Sequence, residues 1–395
     1  MKLLVLSDHI SKDMKNGTWE FAYKFSKYAS ELCEVSIVCF FYELKPDSQD
    51  FEEEGNLKIY RIRNFLAGKA IIKNIKHDVA FIHTTKMYAL YKFSMGLKSK
   101  STVSMIQGTS YIERLLNIGK KDIKYYALRL FETYRSWSSN VLFFASKYMM
   151  DNYVRTYNNF RKSTYLPLAV DKPAITKSLP KKEKYIEEMI LKDIKDGYKI
   201  LFCIRRIVSR TGVLHLVDMM EYLKEYKIKL YIAGTGTHFE ALKRKIEGSH
   251  LTYCIITLGA ISDEAKNWIY KKSYLSIVPT RTLEGFCLSM LESMSYGCPP
   301  VVTPVGGMYE FMKDRGLQPL ITTGFAPMQM AKTVEFFIKN KGERNFYSKK
   351  CKDISTHYHY DDISRRFLME IAYMLEKVGK SVNFMEEATT QKYNN

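Results

Sequence analysis

With 395 residues, 46% hydrophobic and 26% charged, the chain can bury real cores and has room for two to three domains; it is neither disordered nor collagen-like. No stretch approaches the roughly 18 consecutive apolar residues of a membrane-spanning helix. The opening MKLLVLSDHI is too briefly apolar for a signal-peptide core, so a cytosolic location is expected. The formal net charge is +19, and the excess is local: 16 basic against 4 acidic residues between Arg61 and Met150, a net +12. Such a surplus points to nucleic acid, an acidic membrane or a phosphorylated substrate, or else to a solvated Lys-rich surface. Seven scattered cysteines with no C-x-x-C pair argue against a disulfide framework or structural zinc.

The first 170 residues alternate short apolar runs with helical spacing. LLVLS (3–7) reads as a strand, and residues 17–33 as a helix with Phe21, Ala22, Phe25, Tyr28, Ala29 and Leu32 on one side. VSIVCFF (35–41), KIYRI (58–62), VAFIH (79–83), TVSMIQ (102–107) and VLFFAS (141–146) follow as strands. Alternation of this kind predicts a parallel sheet covered on both faces. Residues 171–197 hold two prolines and seven lysines and read as a linker, apart from a short YIEEMIL turn. The rhythm then restarts. KILFCI (199–204), KLYIAG (229–234), CIITLG (254–259), LSIVP (275–279) and PPVVT (299–303) are strands, with helices over 213–226 and 238–246. A last helix over 360–377 carries Ile363, Phe367, Ile371 and Leu375 on one stripe, before a polar tail over 385–395.

The chemistry concentrates in TRTLEGFCLSMLESMSYG (280–297). A strand ends at Pro279, a turn at Glu284-Gly285-Phe286 opens a helix, and Glu292 follows Glu284 by eight residues. The N–H groups of Gly285 to Leu288 then make an anion site at the helix start. Carboxylates on either side can accept hydrogen bonds from sugar hydroxyls, one from a hexose and one from a ribose. A plain surface helix with an N-terminal Glu is the competing reading. The turn Gly306-Gly307 allows close backbone approach to a ligand. Gly234-Thr235-Gly236 and the basic loop Arg205, Arg206, Arg210 also follow strand ends, where α/β sheets bind ligands. The arginines suit a diphosphate, gripped bidentately.

These motifs resemble the donor domain of retaining glycosyltransferases of family 4, with the two-domain GT-B fold. The family's E-G-F-G-x-x-x-x-E is Glu284-Gly285-Phe286-Cys287 through Glu292, and its GG-x-x-E turn is Gly306-Gly307-Met308-Tyr309-Glu310. Its G-x-G loop matches Gly234-Thr235-Gly236, its G-R-L…K-G loop runs from Arg205-Arg206-Ile207 to Thr211-Gly212, and its P-N-G-V-D is Pro167-Leu168-Ala169-Val170-Asp171. The resemblance implies two Rossmann-like domains facing each other across a cleft. Residues 1–170, with a crossover helix at about 360–380, are the expected acceptor domain, and residues 198–359 the nucleotide-sugar domain, with 171–197 linking them. It implies that Glu284 contacts the transferred hexose and Glu292 the ribose, while Arg206, with Arg210 and the loops at Gly17, Gly234, Gly285, Phe286 and Leu288, holds the donor. It implies a nucleotide sugar as donor, a glycan or lipid-linked glycan as acceptor, and no metal or other cofactor. The chain departs from the pattern at Thr211, where the family has lysine, and at Gln107-Gly108, where it often has His-Gly. Gly307, Gln107 and Thr211 complete the candidate positions.

Two features stay open at this level. His83 is either an imidazole for the site or a core histidine. The stripe Ile123, Tyr126, Ala127, Leu130, Phe131, Tyr134, Trp137 is either core packing or, with Lys121, Lys124, Arg129 and Arg135 flanking it, an amphipathic face for the inner surface of a membrane. Against the enzyme stand a degenerate GT-B scaffold, suggested by Thr211 and Gln107, and a basic nucleic-acid-binding protein. The last lacks any helix-turn-helix, zinc-finger or aromatic-on-sheet signature.

Overall fold

The computed structural model describes residues 1–10, 17–41, 49–96, 101–107, 112, 115, 120–157, 163–174 and 178–377. The polar tail and Gly108 lie outside the described residues. The chain divides into two compact units. One is Met1–Leu168 with the segment from Tyr360 onward, and the other is Ala169–His359.

In the first unit the order is β1 (Lys2–Leu6), α1 (Gly17–Ala29), β2 (Glu34–Phe40), β3 (Phe51–Glu54), β4 (Leu57–Ile62), α2 (Phe65–Asn74), β5 (Val79–Ile82), α3 (Thr85–Met95), β6 (Ser101–Ile106), α4 (Ile123–Ser138), β7 (Val141–Phe144), α5 (Lys147–Tyr157) and β8 (Ser163–Tyr165). The sheet runs β3-β4-β2-β1-β5-β6-β7-β8. Among the described strands every pairing in this sheet is parallel except β3 on β4. β1 lies inside, with Leu6 in register with Val38 on one side and Ile82 on the other. Every residue of β5, β6 and β7 is buried, as continuous apolar runs require when both faces of a parallel sheet are covered.

The second unit contains α6 (Lys184–Lys195), β9 (Lys199–Ile204), α7 (His215–Glu221), β10 (Ile228–Ala233), α8 (Phe239–Glu247), β11 (Ile255–Gly259), α9 (Asp263–Lys272), β12 (Leu275–Val278), α10 (Leu288–Ser295), β13 (Pro300–Val302), α11 (Gly306–Asp314), α12 (Pro327–Lys339) and α13 (Lys341–Ser355). Its parallel sheet runs β11-β10-β9-β12-β13. The final helix, α14 (Tyr360–Lys377), returns to the first unit. Its Phe367 meets Phe25, Phe81 and Phe143 at ring distances of 4.9, 4.6 and 4.3 Å. All four residues of the expected stripe are fully buried. Among the described residues no helix is long and apolar enough to cross a membrane.

Within the linker expected over 171–197, the stretch read as a short turn is a full helix, α6. α6 buries Ile186 and Ile190 in one cluster with Leu179, Ile200 and Phe202. Glu187 accepts from the Leu179 N–H at 2.9 Å, and Asp193 pairs with Lys229 at 2.7 Å. The lysines hid this, although on α6 itself Lys192 and Lys195 lie on the solvent side of an amphipathic helix. The helix expected over 213–226 spans only α7; past it the chain tightens into turns such as Leu223 N–H to Met220 O at 3.0 Å.

Candidate active site

The second unit gathers its loops at the C-terminal ends of β9, β10, β12 and β13. Glycines let these loops touch. Gly234 has φ +116, and a Cβ there would lie 2.0 Å from the Arg205 carbonyl oxygen. Gly212, at φ +70, would meet the Pro279 carbonyl at the same distance. The two predicted glycine positions therefore serve first to let backbone meet backbone. Across the gaps, Ile207 donates to Thr235 O at 2.8 Å, Arg281 to Arg210 O at 2.9 Å, and Gly307 to Glu284 O at 3.0 Å. Gly307, expected to allow close approach to a ligand, is buried and tied to the Glu284 backbone.

Glu284 forms an ion pair with Arg205 through Oε2 and Nη2, and accepts from Thr280 Oγ1 at 3.3 Å. The same guanidinium donates to Thr280 Oγ1 at 3.0 Å, Ser289 Oγ at 3.2 Å and Cys287 Sγ at 3.1 Å. Its Nε is buried with no hydrogen-bond partner among the described residues. Burial works against the charged guanidinium, but the charge of Glu284 and its hydrogen bond prevail and raise the pKa of Arg205. Burial likewise pushes the Cys287 thiol up, against the pull of Arg205, so it stays neutral. Among the described residues, only Leu283 (φ +52) and Cys287 (φ +78) are non-glycine with left-handed backbone, and they bracket Glu284-Gly285-Phe286. Strained backbone held in place by its surroundings is characteristic of functional sites.

This geometry shifts the expected anion site. α10 opens at Leu288, not Gly285, because Cys287 in left-handed geometry interrupts the helical run. Gly285 is half-buried, while Phe286 is a core residue edge-on to Phe311 at 5.3 Å. Glu292 lies on α10, paired with Lys266 of α9 at 2.6 Å. Arg206 is exposed, whereas its neighbour Arg205 holds the carboxylate. Arg210 donates to Leu283 O at 3.3 Å. Thr211, at the lysine position, is buried and donates to the Arg206 and Val208 carbonyls, each at 2.8 Å. It pins its own loop and presents no cation. Thr280, Ser289 and Lys266 are contacts that sequence reasoning did not single out, and Arg205, expected with its neighbours to grip a diphosphate, instead holds Glu284. The signal for Arg205 was an arginine where the resembled loop carries glycine.

The remaining predicted residues lie in the first unit. Gly17 is the first residue of α1, and most of the turn before it lies outside the described residues. Gln107 follows β6, with a buried Nε2 that has no partner among the described residues. His83 follows β5 and is 4% exposed, against Phe81 at 4.4 Å, with neither ring nitrogen hydrogen-bonded to a described residue. Burial, helped by Arg135, drives its pKa down to about 3. It is a neutral core histidine.

Residues 186–354 match the model of the glycosyl transferases group 1. The match covers less than half of the chain. An uncharacterized glycosyltransferase of Methanocaldococcus jannaschii is 24% identical over 189 residues, covering 47% of this chain and 48% of the relative. A poly(glycerol-phosphate) alpha-glucosyltransferase of Bacillus subtilis is 27% identical over 190 residues, 48% of this chain and 25% of the relative. The chain therefore spans about half or less of the length of these curated relatives. Among solved structures, sucrose-phosphate synthase from Thermosynechococcus elongatus superposes with a TM-score of 0.77 at 12% identity, over 95% of this chain and 99% of that one. Anabaena HepE in complex with UDP and glucose gives 0.74 at 12% identity, over 94% and 100%. The fold is GT-B.

His83 makes stability depend on pH. The unfolded chain protonates this imidazole near pH 6.5, while the folded chain does so only near pH 3. The unfolded state thus binds more protons in that window, and stability falls as pH drops through it. Urea midpoints between pH 7 and pH 4 should decline less steeply in His83→Leu than in the parent. Parallel profiles would assign the acid sensitivity elsewhere.

Proposed function

We propose that the chain transfers a hexose from a nucleoside-diphosphate sugar to an acceptor hydroxyl of a glycan or lipid-linked glycan, with retention of configuration and without a metal. The observation that carries this reading is Glu284, held by Arg205 between two left-handed residues just before the N-terminus of α10. The family of residues 186–354 and the UDP and glucose bound by the HepE neighbour support the same donor chemistry.

In this reading the ion pair with Arg205 fixes the direction of Glu284, so that the carboxylate accepts from the hexose hydroxyls. Glu292, oriented by Lys266, accepts from the ribose. The first-turn N–H groups of α10, which no helical carbonyl can satisfy, face the diphosphate, with Arg206 and Arg210 adding positive charge. The acceptor oxygen bonds to the anomeric carbon on the face the diphosphate leaves, as the bond from that carbon to the phosphate oxygen breaks. The acceptor proton passes to a donor phosphate oxygen. Stabilising the departing charge by fixed dipoles and cations is the main contribution of the protein.

Substitutions and metal removal test this. Glu292→Ala should weaken donor binding by about 1.5–3 kcal/mol, since ribose loses a charged acceptor. Glu284→Ala should lower kcat about a hundredfold with a smaller effect on KM, since it positions the reacting sugar. Wild-type transfer by both variants with the true donor would overturn the assignment. Arg205→Lys, which cannot span Glu284, Thr280 and Ser289 with one planar fork, should lower kcat about tenfold, while Arg206→Ala acts mainly on KM. The reverse pattern would return the central role to Arg206. EDTA should leave the rate unchanged, and a strict magnesium requirement would contradict the metal-free site.

A further inference from the structure

Helix α4 is built inside out. The side packed against the first unit is polar: Tyr125, Glu132, Arg135 and Ser136 are its buried residues. Arg135 donates to the carbonyls of Ile82 and Met105, each at 2.8 Å, and to Ser104 Oγ at 3.2 Å, while Glu132 accepts from Tyr157 OH at 3.0 Å. The outward side carries Ile123, Tyr126, Leu130, Phe131, Tyr134 and Trp137, exposed by 89, 57, 71, 50, 40 and 61%. At about 100° per residue these six fall within an arc of roughly 140°, opposite the polar side. The stripe is therefore not core packing, and Arg135 does not flank it but lies beneath it. Scattered exposed apolar residues are ordinary; six on one helical face mark an interaction surface.

We infer that this face docks the chain on an anionic lipid bilayer. Charge selects that occupant. Lys124 and Arg129 edge the apolar arc on its two sides, and Lys120 and Lys121 precede the helix, all four exposed. The acids of the segment are engaged elsewhere: Asp122 caps the helix by accepting from the Tyr125 N–H at 2.9 Å, and Glu132 is buried. The surrounding stretch, from Arg61 to Met150, carries the net +12. An apolar, aromatic face with basic edges is the composition of helices that lie in the plane of a membrane interface. Acidic headgroups attract the edges, and the attraction decays within a Debye length.

The test uses the full chain and vesicles of phosphatidylcholine, alone or mixed with phosphatidylglycerol. Of the three tryptophans, Trp268 is buried and Trp19 half-buried, so Trp137 reports lipid contact. Co-sedimentation and a blue shift of emission are expected with the phosphatidylglycerol vesicles, weakening about tenfold or more as salt rises to about 0.5 M. Leu130→Ser with Phe131→Ser should abolish the shift, and Lys124→Glu with Arg129→Glu should abolish the salt-sensitive part. All four positions are exposed, so thermal unfolding should not change. Neither pair should alter sugar transfer to a soluble acceptor, which separates this inference from the donor-site reading. Equal binding to neutral vesicles, no binding, or binding unchanged in the Leu130/Phe131 variant overturns it. So does self-association that the same variant removes, since a second copy would then be what covers the face.

Discussion

A guanidinium taken out of water is tolerable only beside a countercharge, and in the second unit Arg205 and Glu284 satisfy that condition for each other. Much of the local architecture follows from where they meet. Arg205 leaves the end of β9 next to the Gly234 loop, whose missing side chain admits the arginine's own carbonyl. Glu284 leaves the end of β12, its backbone held by Gly307 from the far side. Ser289 and Thr280 each accept a further guanidinium proton, which fixes the start of α10 relative to the strand before it. Three strand-end loops and one helix N-terminus are thus referred to one ion pair. Removing either partner would leave the other charge buried and uncompensated, so the site and its scaffold cannot be varied independently.

The sequence made the sheets legible because buried parallel strands announce themselves as short apolar runs, and each such run in 199–303 lies on a strand of the second unit. β3 escaped because FEEE carries three acids and lies antiparallel at an edge, where pairing needs no apolar side chains. β8 escaped because three residues, STY, hold no periodicity to read. The carboxylates at 284 and 292 were visible as a spacing, but their cations were not. Arg205 and Lys266 reach them across 79 and 26 positions, and only the folded chain brings such partners together. Thr211 shows the converse. A missing lysine looked like lost chemistry, and the residue proves to hold its own loop closed.

The aromatic stripe of α4 misled for a related reason. Helical periodicity identifies an apolar side and a polar side without saying which one faces the protein. Burial of the apolar side is the usual outcome. Here Arg135 reverses it, because the carbonyls at the ends of β5 and β6 demand donors that an apolar face could not supply.

That reversal has a mechanical consequence. Greasy helix faces can slide or roll over a sheet, since apolar contact has no preferred direction and neighbouring packings differ little. The underside of α4 is fastened by directional bonds instead. A turn of one residue would pull Arg135 off two carbonyls and a hydroxyl at once and strand a charge in the interior. The helix is keyed rather than greased, so the azimuth of Leu130, Phe131 and Trp137 about its axis is as fixed as any residue in the core.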